Sequence, residues 1–169
     1  EVNFCQEFYA DDVSIAPAQV FEKLNKKVHP PFAAFLNLPE HAVMCASPER
    51  YMQKSGNKLI SQPIKGTARR SADPAEEARI KTALHSSVKE RAENVMIVDL
   101  VRNDLSRVAA DGSVYVPELF GVHTFPTVHQ LISTVKARLA PDKTWLDVLK
   151  TSFPMGSMTG APKVSAMHL

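Results

Sequence analysis

The sequence predicts an α+β fold with largely antiparallel sheets and helices packed on their outer faces. Two observations carry that expectation. Strand-like runs come in pairs, and single helical segments separate the pairs, so strand and helix do not alternate throughout as a parallel βαβ chain requires. The 169 residues, 44% apolar and 22% charged, hold enough material for one sizeable core.

The segment "PAQVFEKLNKKV" has helical spacing with Pro17 at its start, and the runs "FAAFLNL" and "HAVMCAS" after it read as strands. "YMQKSGNKLISQ" reads as a hairpin turning at Ser55, Gly56 and Asn57. The best-marked helix follows: Asp73 caps it, Pro74 suits its first turn, and Glu76 completes a capping-box pattern. It is expected to reach about Glu93, with Ile80, Leu84, Val88 and Ala92 stacked on one face. "NVMIVDLV" then reads as a buried strand, "GSVYVPELFGV" and "TVHQLISTVKARL" as two more, and "KTWLDVLKTS" as a short helix capped by Asp142. In the tail, "FPMGSMTGAPKVSAMHL", Gly156 and Gly160 with Ser157 and Thr159 read as a flexible loop, and Pro162 suits the first turn of a helix.

Composition excludes several classes. The net charge of +2 comes from intermixed signs without a basic stripe, which disfavours nucleic acid as a partner. The longest apolar runs are too short to cross a bilayer, so no membrane partner is expected. The two cysteines, Cys5 and Cys45, lack CxxC spacing and read as reduced, buried thiols of a cytoplasmic protein. The chain lacks an initial Met, as an excised piece of a longer protein would.

Three features stand out chemically. Lys65, in "SQPIKGTARRSADP", directly follows an apolar-leaning run, where a lysine is either a snorkelling surface residue or a functional amine. Glu90 and Glu93 are neighbours on one helical face near the expected helix C-terminus, where the macrodipole disfavours negative charge. They read either as a solvated face neutralised by Lys89 and Arg91 or as hard oxygen ligands for magnesium. The glycine tail is either an ordinary capped connection or an anion site built from backbone N–H groups. A nucleotide-binding P-loop does not fit, because Ala161 and Pro162 separate Gly160 from Lys163.

Four motifs in order, "SPE" at Ser47 to Glu49, "PIKGT" at Pro63 to Thr67, "ENVMIVDLVRNDLSRV" from Glu93 and "FPMGSMTGAPK" ending at Lys163, resemble the chorismate-utilising enzymes. The resemblance covers nearly the whole chain. It implies an α/β/β/α fold with orthogonally packed sheets, of which residues 1–169 would be an interior part of a single domain truncated at both ends. It further implies a missing segment bearing an arginine, a tyrosine, glycines and a second acidic magnesium ligand.

Within the family the lysine of "PIKGT" is characteristic of the aminodeoxychorismate synthases, whose component I turns chorismate and ammonia into 4-amino-4-deoxychorismate for p-aminobenzoate and folate. By that resemblance Lys65 is the nucleophile at C2 and Glu49 the general acid for the departing C4 hydroxyl. Glu93 and Glu90 correspond to acidic positions of a Mg2+ site, and Gly66, Thr67, Gly160 and Ala161 to substrate-contacting positions. Ammonia would come from a glutamine amidotransferase, because no glutaminase Cys-His motif is present. Anthranilate synthases often carry His where Gln130 stands, and an amide cannot act as a general acid near neutral pH. His129 alternates to the other strand face. Two other readings stay open: another chorismate enzyme, such as anthranilate synthase component I or an isochorismate-type synthase, and a non-catalytic module for a chorismate-like anion. A binder needs no nucleophile, so Lys65, Glu49 and Glu93 together weigh against the latter.

Overall fold

Antiparallel pairing organises every strand whose register is defined. The computed structural model describes residues 2–4 and 6–168. The chain divides into a larger unit, residues 1–4 and 51–169, and a smaller one, residues 5–50.

In the smaller unit, α1 (Pro17–Val28) starts on its proline and ends at His29 in a left-handed conformation. Strands β1 (Phe32–Asn37) and β2 (Ala42–Ser47) form an antiparallel pair in which Phe35 faces Met44. The ring of Phe21 on α1 stacks on Phe35 at 5.5 Å between centroids. Since Met44 faces the helix, alternation turns its neighbour Cys45 outward, and this thiol is exposed where the sequence implied burial. Cys5, expected to be buried as well, lies outside the described residues.

The larger unit is a five-stranded sheet built on β7 (Val128–Arg138). Along one edge β7 pairs with β6 (Tyr115–Thr124). Along the other it pairs first with β5 (Ile64–Arg69) and then with β4 (Lys58–Gln62), while β3 (Arg50–Ser55) extends the sheet beyond β4 through the expected turn at Gly56. Leu59, Val135, Ala137 and Leu139 of the sheet region form a core with Val98, Leu105, Val108 and Val148, and Leu131 packs with Leu84 and Phe120.

Two expectations fail along α2 and α3, the helices of residues 74–86 and 88–106. The predicted helix from Asp73 to Glu93 is interrupted at Ser87, whose extended backbone ends α2 (Pro74–Ser86). The Ser87 hydroxyl accepts from Glu90 N and so caps α3 (Val88–Ser106). Val88 is therefore 84% exposed rather than stacked beneath Leu84. The run "NVMIVDLV", predicted as a strand, belongs to α3. Its buried residues Asn94, Ile97, Val98 and Leu105 follow the helical period, while Val95 and Met96 face outward. A short apolar run carries no period of its own, which is why it resembled a strand.

Capping also differs in detail. Asp73 accepts from Ala75 N as expected, but Glu76 pairs with Arg79, and it is Glu77 that reaches back to Ser71 N at 2.8 Å. The helix α4 (Trp145–Ser152) is capped by Thr144 in a reciprocal box with Asp147, while Asp142 is occupied by Lys143 at 2.9 Å. The glycine tail is no flexible loop: it forms a helical turn, α5 (Gly156–Thr159), followed by α6 (Lys163–Met167), for which Pro162 is the N-cap. No helix among the described residues is long and apolar enough to cross a membrane.

His129 is fully buried on the helix-facing side of β7. Its Nδ1 lies 3.0 Å from Thr124 Oγ1, and its Nε2 lies 3.0 Å from Glu77 Oε1, an ion-pair distance without hydrogen-bond alignment. The Ser71 N–H, followed by His129 and Arg70, holds the Glu77 carboxyl down to about 2 against the opposing effect of desolvation. A carboxyl depressed in the folded state contributes stability above its unfolded value of 4.5 and loses it as pH falls toward about 2. Glu77→Gln is therefore expected to lower the urea midpoint at neutral pH, with the gap from the parent narrowing across that window. A gap independent of pH would contradict this account.

Candidate functional site

The site begins with an irregularity in β5. Ile64 pairs with Ile132 and Thr67 with Gln130, so two residues, Lys65 and Gly66, face the single residue Leu131. Such a bulge bends the strand and re-aims the side chains on it. Lys65 is half-buried and its Nζ donates to Asn3 Oδ1 at 3.3 Å. Asn3 in turn donates from Nδ2 to Ser157 O at 2.8 Å and from its backbone N–H to Thr159 O at 3.3 Å, and Val2 bridges to Gly160. One asparagine thus joins the lysine to the glycine turn. Sequence reasoning did not single it out, because its partners lie 62 and 154 residues away and leave no local pattern.

Gly66 has φ +96°, and a Cβ there would stand 3.0 Å from Glu90 Oε2 and 3.1 Å from Glu90 Cβ. The first turn of α3 therefore approaches the bulge through a gap that only glycine leaves. Glu90 and Glu93 lie at the beginning of α3, not at a helix C-terminus as the sequence implied. The break at Ser87 reverses the sign of the dipole effect at Glu90, which lies in the first turn at the positive helix end, while Glu93 follows in the second turn. Lys89 Nζ stands 3.9 Å from Glu90 Oε1 and 3.8 Å from Glu93 Oε1, whereas Arg91 rests over the Phe120 ring at 4.6 Å.

Thr67 is exposed on β5 opposite Gln130, which is 7% exposed and whose Oε1 has no hydrogen-bond partner among the described residues. On its other side Gln130 faces His123, whose Nε2 lies 3.2 Å from Glu118 Oε1. Glu118 Oε2 accepts from Thr134 Oγ1 at 3.2 Å, and Thr134 Oγ1 accepts from Gln62 Nε2 at 3.2 Å. This polar row is another feature the sequence concealed, since its members come from four strands.

The tail is less open than expected. The N–H groups of Met158, Thr159 and Gly160 bond back to the carbonyls of Met155 and Gly156, so they do not form a free anion cradle. Gly160 is buried and Ala161 half-buried. Lys163 closes the segment: its Nζ lies 2.7 Å from Asp104 Oδ2 and donates to Ser152 O at 3.0 Å. Burial raises the Asp104 pKa, with the Lys163 ammonium opposing that rise. Glu49 belongs to the smaller unit, where it is half-buried and its N–H donates to Ser47 Oγ at 3.1 Å. No group of three or more metal-ligating side chains occurs among the described residues.

The fold and the motif residues define the class of chorismate binding enzymes: the model of that family matches residues 1–169, and the chain belongs to it. Among its relatives, aminodeoxychorismate synthase component 1 of Klebsiella aerogenes is 49% identical over 100% of this chain and 37% of its own length. The protein of the same name from Escherichia coli strain K12 is 47% identical over the same shares. The crystal structure of anthranilate synthase component I from Streptococcus pneumoniae TIGR4 superposes with a TM-score of 0.80 at 33% identity, covering 92% of this chain and 34% of that one. The chain thus spans little more than a third of the length of the curated relatives it matches.

The packing of Glu90 on Gly66 has a measurable cost. Gly66→Ala adds a crowded Cβ to a positive φ and is expected to destabilise the chain by about 2–4 kcal/mol. Gly56→Ala has φ +58° and nothing within 4 Å of the new Cβ, so only the backbone strain of about 1–2 kcal/mol applies. Equal losses in chemical denaturation would show that the approach of α3 to the bulge is not tight.

Proposed function

We propose that the full-length protein is component I of an aminodeoxychorismate synthase, which converts chorismate and ammonia to 4-amino-4-deoxychorismate and water for p-aminobenzoate and folate synthesis. The observation that carries this reading is Lys65: an amine in "PIKGT", half-buried on a bulge, beside the acidic turn of α3 and linked through Asn3 to the glycine turn. The similarity to curated proteins of that name supports it.

In the proposed reaction the unprotonated Lys65 Nζ attacks C2 of chorismate, both ring double bonds shift by way of C1, C6 and C5, and the C4 hydroxyl leaves as water with a proton from Glu49. Ammonia then adds at C4, both double bonds shift back, the Lys65 amine is released, and the proton lost by the new C4 ammonium returns to Glu49. Gly66, Thr67, Gly160 and Ala161 supply backbone and small side chains at which the substrate can approach closely. The ammonia is delivered by a glutamine amidotransferase subunit or domain, in keeping with the "component 1" in the relatives' names.

A magnesium ion fits the acidic turn as a partial donor set. Glu90 and Glu93 are half-exposed hard oxygen donors, and the Lys89 ammonium already stands within 4 Å of both, so the place accepts a cation. Bound there, magnesium would supply positive charge for a substrate carboxylate.

The decisive experiment is chromatographic product analysis of the full-length protein with chorismate, magnesium and ammonium. 4-Amino-4-deoxychorismate is the expected product, whereas anthranilate or isochorismate would move the assignment to another branch of the family. Lys65→Ala should reduce C4 amination by orders of magnitude, and Lys65→Arg should fail as well, because a guanidinium stays protonated. Near-normal amination by the alanine variant would remove Lys65 as nucleophile.

The metal assignment is tested separately by titrating chorismate binding at several magnesium concentrations. Glu93→Gln should weaken the magnesium-dependent part strongly, and an unchanged titration would return Glu93 to a solvated surface role.

A further inference from the structure

We infer that Asn94 is a positioning residue that locks the Lys65 bulge of β5 and the acidic turn of α3 into one register on β7. Asn94 directly follows Glu93 and is fully buried. Both ends of its amide are engaged: Nδ2 donates to Leu131 O at 3.2 Å, and Oδ1 accepts from Ser133 Oγ at 2.5 Å. Both are β7 residues that face bulges; a third, Val135, stands opposite Val116 and Pro117 of β6 and is not bonded to Asn94 among the described residues. Leu131 stands opposite Lys65 and Gly66 on β5. Ser133 stands opposite Leu119 and Phe120 on β6, since Glu118 pairs with Thr134 and Gly121 with Ile132.

The second bulge is tied to the same amide. Phe120 has φ 61°, an uncommon conformation for a bulky residue, and its N–H donates to Ser133 Oγ at 3.0 Å. The chain of bonds therefore runs from Phe120 through Ser133 and Asn94 to Leu131, crossing β7 from one irregular edge to the other.

Asparagine suits this place chemically, because its amide offers a donor for the Leu131 carbonyl and an acceptor for the Ser133 hydroxyl at once. Asp lacks the donor and Leu lacks both. A bulge is a one-residue offset, and a strand slipped by one residue presents the opposite face, so what fixes the offset fixes where Lys65 points. Because Asn94 and Glu93 are consecutive on a rigid helix, the same bonds set the depth at which the acidic turn meets β5.

The catalytic consequence rests on the proposed role of Lys65; the register itself does not. In the full-length protein, Asn94→Asp and Asn94→Leu are expected to lower kcat for ammonium-dependent amination by about a hundredfold, with the chorismate KM little changed, as for a misplaced reacting group. Amide hydrogen exchange should rise at residues 64–67 and 118–121, while Lys58–Ser61, paired with Val135–Arg138, keeps its parental protection. Ser133→Ala removes the bonds of its hydroxyl to Phe120 and Asn94 but keeps the Asn94–Leu131 bond, so exchange should rise at 118–121 and less at 64–67, with a smaller loss of kcat, which keeps the test open should an Asn94 variant fail to fold. Val148→Ala, a cavity in the other core cluster, controls for general destabilisation and should leave kcat and exchange at 64–67 unchanged.

Parental kcat and exchange in the folded variants, or changes matched by Val148→Ala at equal stability, would overturn the inference. If Lys65→Ala still aminates chorismate, the functional reading falls, and exchange at 64–67 alone decides whether Asn94 holds the bulge.

Discussion

The structure of the larger unit depends on the alternation of β7. Its odd-numbered residues His129, Leu131, Ser133, Val135 and Ala137 meet the elements of the helical layer or their core clusters, whereas Gln130 and Thr134 belong to the polar row with Thr67, His123, Glu118 and Gln62. A slip by one residue would place Gln130, Thr134 and Lys136 in the apolar clusters and expel Leu131 and Val135. The cost of burying unpaired polar groups makes that register hard to leave. Partners on both edges reinforce it. β6 runs along one edge, and β5 and β4 share the other, separated at Pro63, whose carbonyl accepts from Ser133 N at 3.2 Å.

Against so constrained a strand, the neighbouring strands carry the irregularity. β5 adds one residue opposite Leu131 and β6 adds one each opposite Ser133 and Val135, and the candidate chemistry collects at the offset in β5. The bulge gives Lys65 a position that regular pleating would not, and Gly66 leaves the gap into which Glu90 fits. The conformational freedom of glycine and the proximity of two charged groups are thus parts of one geometry.

Electrostatics of the acidic turn follow from a helix break. Had α2 and α3 been one helix, Glu90 and Glu93 would lie far from its positive end. With Ser87 as N-cap Glu90 occupies the first turn of α3, at the positive helix end, Glu93 follows in the second, and the Lys89 ammonium stands within 4 Å of both. Farther along the same helix, Asp104 holds Lys163 in a buried pair and so fastens the end of the glycine segment to α3. Such a pair carries a desolvation cost that close contact offsets, and removing either partner alone would leave a buried charge. The helix that carries the acidic residues is therefore also an anchor for the glycine segment.

Much of this was legible in the sequence because its physical basis is local. Strand-like runs marked β1, β2, β6 and β7, Gly56 marked the hairpin turn, Pro17 and Asp73 marked helix starts, and the motifs carried Lys65, Gly66, Glu90 and Glu93. What escaped were choices between locally equivalent alternatives. "NVMIVDLV" satisfies a buried strand and a buried helix alike, and only the sheet it packs on selects the face of Ile97, Val98 and Leu105. Asp142 and Thr144 are both good caps, and the reciprocal bond with Asp147 decides for Thr144. The Asn3 link and the Asn94 network join residues remote in sequence through single side-chain bonds. Periodicity and propensity record the preferences of neighbouring residues, so the sequence by itself determined which groups are present, whereas only chain closure in three dimensions determined which of them meet.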